Sequence, residues 1–394
     1  KALKMDESRT PVIIAVARTA IARAYGALSS VDVEYLLSPL IQALVESTKI
    51  EKTGIDDVMI GNAAGGGGNL ARLAALTAGL PVEIPGVTID RQCGSGLEAV
   101  VMACRLIEAG AGDIYLAGGA ESVSTAPWRI KRPKTPRELP QFFSRARFSP
   151  DSVGDPDMGN MAENIARHFG VSRQRQDRFA LQSHRRALKA QADHRFDDEI
   201  IALQTAKGLF SADDCPRAGL KLETLEHLRP VFETDGTVTA GNSCPLNDGA
   251  ALVLVTSLEK AKQLGIQYGI VFVDSAVSGV DPNLAGMGAV PSTKKLLQRM
   301  KLDNCSDFKV IEFNEAFAAQ VLAAIDELDI SEEQINRDGG AIALGHPFGA
   351  SGTFLTIRLF SQMKNQADDA LGLATMGIGG GMGISAAFRP YHNA

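Results

Sequence analysis

The sequence predicts an α/β protein of two similarly built lobes with a long excursion between them. Three features carry this. From Pro11 to Ala120, short β-branched runs (VIIAVA at 12–17, DVMIGN at 57–62, PGVTID at 85–90, DIYLAGGA at 113–120) alternate with helical apolar spacing over 32–48, 69–79 and 94–109. The same grammar returns from about 270: IVFVDSAVSG, a helix near 292–301, FKVIEFNE, a helix near 316–328 and two terminal Gly-rich strands. Between them, 122–247 departs from it, opening with the Pro- and Arg-rich stretch PWRIKRPKTPRELPQFFSRARFSP and continuing in charged helical segments such as 159–192. Strands alternating with helices predict a mostly parallel, layered sheet.

Composition narrows the function classes. The chain has 394 residues, 45% hydrophobic and 22% charged, which fits a globular protein of two or three units. A net charge of −6 speaks against nucleic-acid binding, and no apolar run reaches the ~20 residues that span a bilayer. Lys1–Thr10 reads as a tail or an expression remnant, without the apolar core of a secretory signal. The five cysteines are scattered and form no C-x-x-C pair, so neither a disulfide scaffold nor a metal site is expected, and a reducing cytoplasm is the expected compartment. Gly66, Gly68 and Ala71 give a partial G-x-G-x-x-A, with Asp90 where a ribose-binding acid would stand; this dinucleotide reading needs context to support it.

Four stretches carry chemistry. In DRQCGSGLEAVVMACRLIEAG, Cys93 stands between a strand and a helix, where the helix dipole favours thiolate and where strand-to-helix turns display nucleophiles; Cys104, on the apolar face, reads as structural. In DGGAIALGHPFGASG, His346 lies in a tight Gly/Pro loop suited to general-base work or donation to an oxyanion. His168, His184, His194, His227 and His392 read as surface residues. In EFNEAFAAQ, Asn314 and Glu315 fall at a strand end, with ligand binding and helix capping equally open for the asparagine. In GLATMGIGGGMGIS, a glycine cluster offers bare N–H groups to an oxyanion or forms a tight hairpin.

Together with AGNSCPLNDGAA at 240–251 and MGNMAENIA at 158–166, these stretches resemble the thiolase family in order, content and spacing, from about Thr10 to the C-terminus. The resemblance implies duplicated βαβαβαββ lobes in a layered αβαβα core: an N-terminal lobe of 1–121 plus 248–269, a loop domain of 122–247 that binds coenzyme A, and a C-terminal lobe of 270–394. It implies that Cys93 takes an acyl group from acyl-CoA, for acetyl-CoA condensation or 3-ketoacyl-CoA thiolysis. His346 would activate Cys93 and, with Asn314 acting through a water, form one oxyanion hole; the N–H groups of Cys93 and Gly379 would form the second. Phe317 would line the pantetheine channel, with Cys244, Phe232 and Met158 as further coenzyme A contacts. No cofactor is held permanently, the coenzyme A thioester being substrate. GGGGNLARLAAL resembles the family's dimer-contact segment, which displaces the dinucleotide reading and implies a homodimer or homotetramer.

One position departs from the family pattern. Gly377 stands where the family's Cys-x-Gly motif has the cysteine that moves the α-proton of the second acyl group. Three explanations are open: an engineered change that traps the acyl-enzyme, a different acyl acceptor, or another thiol in the role, with Cys244 as candidate. An acyl-CoA hydrolase and a non-catalytic acyl-CoA-binding protein remain as alternative readings, the latter opposed by the intact Cys93–His346–Asn314 set.

Overall fold

The computed structural model describes residues 6–393. Nine main strands run β1 (Pro11–Arg18), β2 (Asp57–Gly61), β3 (Gly86–Ile89), β4 (Ile114–Ser122), β5 (Asn247–Ser257), β6 (Tyr268–Gly279), β7 (Phe308–Phe313), β8 (Leu371–Ile378) and β9 (Met382–His392). They form one sheet path in the order β7-β8-β9-β6-β1-β5-β4-β2-β3. The duplication is visible in this order. The run β2-β4-β5-β1 has the same connectivity as β7-β8-β9-β6, and the two halves meet where β1 pairs antiparallel with β6.

The sheet is mixed, which corrects the expectation of a mostly parallel one. Only β2–β3, β2–β4 and β7–β8 pair in parallel. β5 returns from the excursion antiparallel to both β4 and β1. β8 and β9 are joined through Gly379–Gly381, and so short a link forces reversal.

Eight longer helices cover the sheet: α1 (Val33–Thr48), α2 (Leu70–Thr77), α3 (Ser95–Glu108), α4 (Met158–Phe169), α5 (Arg173–Ala192), α6 (Ala289–Met300), α7 (Ala318–Glu327) and α8 (Phe348–Met363). The charged stretch 159–192 is two helices, broken at Gly170, which adopts φ 66° at the end of α4. Three apolar clusters explain the layering. An inner one gathers α3, α8 and strand residues of both halves, while outer ones pack α1 and α2 on the first half and α4, α6 and α7 on the second.

The two inner helices cross at glycines. A Cβ on Gly96 would lie 2.6 Å from the Gly349 carbonyl oxygen, and one on Gly352 would lie 2.5 Å from the Leu97 Cβ. Any larger residue would push α3 and α8 apart, together with the loops that precede them.

Below the crossing, a buried charge network spans the whole chain. Arg18 of β1 donates to Glu199 at 2.9 Å and to Asp213 at 2.8 Å, and Arg358 of α8 pairs with the same Glu199 and with Asp338. Paired this way, these buried ions avoid the several kcal/mol that an isolated buried charge costs. Asp6–Thr10 is not a loose tail: Arg9 donates from Nε to the Ile107 carbonyl at 3.0 Å and pairs with Asp113. Lys1–Met5, the rest of the expected tail, lies outside the described residues.

Candidate active site

Local chemistry builds the turn that carries Cys93. After β3, the Asp90 carboxylate accepts the Gln92 N–H at 2.8 Å. Ser95 Oγ donates to the Gln92 carbonyl at 2.6 Å and accepts the Arg91 N–H at 2.8 Å. Gln92 is thereby held at φ 47°, a strained left-handed conformation for a non-glycine residue. Cys93 follows, partly buried, one residue before α3's glycine cap. A Cβ on Gly94 would lie 2.4 Å from Ile378 Cδ1, so the second half of the sheet closes directly onto this turn.

The Gly379 N–H and the Cys93 N–H both face the Cys93 sulfur and favour its anion, but burial outweighs them and pushes the thiol up to about 11. Loss of water around the sulfur thus works against the thiolate that the helix position favours.

His346 is buried, in the loop that enters α8. Gly345 turns the chain at φ 116°, and the His346 N–H donates to Asn247 Oδ1 at 2.8 Å. The ring Nδ1 lies 2.6 Å from Ser351 Oγ, one turn into α8. Burial lowers the imidazole to about 4, so it is neutral at pH 7. His346 before α8 and Cys93 before α3 thus stand ahead of the two helices that cross at Gly96 and Gly352.

Asn314 follows β7, its N–H bonded to the Thr375 carbonyl of β8 at 3.1 Å. It is buried. The capping alternative fails, because α7 begins at Ala318 with Phe317 at the cap position. Glu315 turns the other way: its carboxylate accepts from Ser183 Oγ at 2.7 Å and Asn336 Nδ2 at 2.8 Å, tying α5 to the approach to His346.

Phe317, Cys244, Phe232 and Met158 gather on one wall. The Cys244 N–H donates to the Ala316 carbonyl at 3.0 Å, Ser243 bridges to Phe317, and the Phe232 and Phe317 rings meet edge to face at 6.3 Å. Met158 opens α4 beside Gly379, whose Cβ would lie 3.7 Å from the Met158 sulfur. Burial pushes the Cys244 thiol far above its ordinary range, with nearby Cys93 adding to the shift.

Gly377 lies in β8, opposite Gly383 of β9. A Cβ there would meet the Gly286 carbonyl oxygen, because the segment Pro282–Gly288 packs over this part of the strand.

Several contributors escaped the sequence reading. Glu121, fully buried at the end of β4, accepts from Asn62 Nδ2 (2.9 Å) and from the N–H groups of Ala63 (2.9 Å), Ala64 (3.0 Å) and Gly349 (2.9 Å). It clamps the Gly-rich loop after β2 to the first turn of α8. Ser351 and Asn247 hold the two ends of His346. A carboxylate closing a strand that is otherwise apolar, AGGAES, was the available signal for Glu121. His184 corrects the surface expectation: it is buried in α5, accepts the Arg217 N–H at 3.2 Å and is lowered to about 4 by burial. Among the described residues no cluster of His, Cys, Asp or Glu is arranged to hold a metal ion, and no helix is long and apolar enough to cross a membrane.

The arrangement agrees with what the chain resembles among known proteins. The family model "Thiolase, N-terminal domain" matches residues 11–259, and "Thiolase, C-terminal domain" matches 266–390. A Staphylococcus epidermidis protein named "Putative acetyl-CoA C-acetyltransferase VraB" is 46% identical over 386 residues, covering 98% of this chain and 99% of that one. Its Staphylococcus aureus namesake is 46% identical over 382 residues, covering 96% and 99%. The crystal structure of the Bacillus anthracis acetyl-CoA acetyltransferase superposes with a TM-score of 0.89 at 36% identity, covering 97% of this chain and 99% of that one. Both halves of the chain, its mixed sheet and its paired inner helices match one family from end to end, and the protein belongs to it: it is an acyltransferase of the thiolase family.

Proposed function

We propose that Cys93 takes an acyl group from a coenzyme A thioester, with the other residues in the following roles. Neutral His346, its Nδ1 proton held by Ser351, accepts the thiol proton at Nε2 as the sulfur attacks the thioester carbon. The collapsing intermediate expels the coenzyme A thiolate, which recovers the proton, and leaves an S-acyl enzyme. The Cys93 and Gly379 N–H groups stabilise one oxyanion; His346 and a water on Asn314 stabilise the other. Phe317, Phe232, Cys244 and Met158 line the pantetheine channel.

The observation that carries this reading is that Cys93 and Gly379, from the two halves of the chain, line one cavity, with Ile378 packed against the Cys93 turn. Family membership supports condensation and thiolysis as the overall reaction. Gly377 leaves the carbon-proton step without its usual thiol, and the raised Cys244 thiol counts against Cys244 as its replacement. The division into two lobes with 122–247 as a coenzyme A-binding loop domain belongs to the same proposal, supported by the repeated strand order. So do a homodimer or homotetramer, supported by Leu73, Leu76 and Val82 exposed on and after α2, and a cytoplasmic setting, supported by five unpaired cysteines.

Intact-protein mass after mixing with acetyl-CoA tests the nucleophile. The expected result is an acetyl adduct on the wild type and none on Cys93→Ala. An undiminished adduct on Cys93→Ala would overturn it.

A further inference from the structure

The stretch MGNMAENIA contributes Met158 to the wall beside Gly379, and nothing in the acyl transfer described above uses the rest of it. Its helix, α4, grips the segment 231–244 along one stripe. Gly159, Glu163 and Arg167 recur every four residues and so share a face. Phe232 lies against Gly159, where a Cβ would come 2.2 Å from the ring. One turn on, the buried Glu163 carboxylate accepts the Thr237 N–H at 2.8 and 2.9 Å, the Thr237 hydroxyl at 3.1 Å and the Val238 N–H at 2.8 Å. Another turn on, Arg167 pairs with Glu233.

The fit is reciprocal. α4 has no side chain where the segment presents Phe232, and the segment has none at Gly236, where a Cβ would lie 2.1 Å from Glu163 Oε1. A carboxylate buried without its charge-assisted partners is costly, so Glu163 holds this backbone in one place. The segment has no helix or strand of its own to do so. Further along, fully buried Asn242 accepts the Thr239 N–H at 2.8 Å and donates to Asp177 of α5 at 2.9 Å, while its carbonyl accepts the Ala318 N–H at 2.9 Å. Between Phe232 at one end and Cys244 at the other, the chain is thus pinned at Glu163 and at Asn242.

We propose that Glu163 is a positioning residue for acyl transfer: through the segment 231–244 it sets the wall that receives coenzyme A, and it takes no part in the chemistry at Cys93. The proposal rests on Phe232, Phe317 and Cys244 as the pantetheine wall. Phe232 is 38% exposed and is held by Gly159 and by the edge of Phe317. A ring with so little packing takes its place from the backbone that carries it, and Glu163 fixes that backbone. Glu163 therefore acts on how tightly the thioester is bound and not on how fast the bound thioester reacts.

Coenzyme A release on acylation, followed against acetyl-CoA concentration, tests this. In Glu163→Gln a single amide oxygen replaces two carboxylate oxygens, and the half-saturating concentration should rise about tenfold with the limiting rate within about twofold of wild type. Gly236→Ala, which displaces the segment and leaves Glu163 in place, should shift it in the same direction. Alkylation of Cys93 by iodoacetamide, which needs no pantetheine wall, should proceed at the wild-type rate in both. An unchanged half-saturating concentration in both variants would overturn the proposal. So would a fall in limiting rate matched by altered alkylation, which marks general damage to the Cys93 turn. Phe232→Ala separates the proposal from the reading beneath it: an unchanged half-saturating concentration there would remove the wall itself, whereas a rise there with none in Glu163→Gln would remove Glu163 alone.

Discussion

A Cβ placed on Gly377 would lie 2.4 Å from the carbonyl oxygen of Gly286. The backbone of 282–288 therefore occupies the room a side chain at 377 would need. Gly377 has no positive φ to explain its identity; close approach of another backbone does.

It follows that Gly377→Cys will not restore proton transfer by itself. Overpacking against rigid backbone costs about 1–3 kcal/mol, so Gly377→Cys and Gly377→Ala should both melt several degrees below the wild type, with acetoacetyl-CoA thiolysis no faster in the cysteine variant. A stable Gly377→Cys enzyme with thiolysis raised a hundredfold would show that 282–288 moves aside readily.

The Cys93 thiol near 11 makes alkylation a direct readout. Reaction with iodoacetamide should be slow at pH 7 and climb about tenfold per pH unit through pH 9 and 10, where an ordinary thiol near 8.5 levels off. Acylation by acyl-CoA should instead be nearly flat from pH 6 to 8, because His346, lowered to about 4, stays neutral across that range. A rate plateau for iodoacetamide beginning at pH 7 would mean a resting thiolate.

Ser351 Oγ lies 2.6 Å from Nδ1 of His346 and holds the ring in place. Removing His346 should slow single-turnover coenzyme A release by ~10²–10⁴-fold, and more than Asn314→Ala, whose loss as an oxyanion donor costs ~10²–10³-fold. Ser351→Ala should fall between wild type and His346→Ala, with Ser351→Thr restoring most of the rate. Equal rates in Ser351→Ala and wild type would remove the hydroxyl from the mechanism.

Glu121 accepts four donors, and an amide cannot accept from all of them in the same geometry. Glu121→Gln should lose about 1–3 kcal/mol for each donor left unpaired. It should also loosen the loop 62–67, seen as faster hydrogen exchange there while α1 exchanges at the wild-type rate. Unchanged exchange at 62–67 would show that the clamp is dispensable.

His184 gives a pH signature separate from catalysis. Its folded value, lowered to about 4 by burial, lies below the unfolded value of 6.5. Between these the unfolded chain binds the extra proton, so this contribution to stability is lost as pH falls from 6.5 towards 4. Melting of His184→Gln should therefore fall less steeply than wild type over that window. Parallel curves would place the imidazole in water.

Much of the fold was legible because its signals are local. The run read at 12–17 is the strand Pro11–Arg18, and the helix read at 94–109 is Ser95–Glu108. The loop glycines around Cys93 and His346 likewise marked the turns that the structure contains. What was not legible depends on distant partners. Nothing near Gly377 announces Gly286, and nothing near Cys93 announces that Ile378 packs against its turn. His184 looked solvated because its neighbours in sequence are polar, while the side it presents inward is set by α5 packing against the second lobe.

The Arg18 network has a consequence for how the chain is made. Its two carboxylate partners lie 181 and 195 residues further along. At ~5–20 residues per second, a nascent chain carries β1 for about 10–40 s before either acid has left the ribosome, and β5 and β6, which pair with it, come later still. β1 thus waits for partners that lie far along the chain. During translation this apolar strand stays without its sheet neighbours long enough for holding chaperones to meet it.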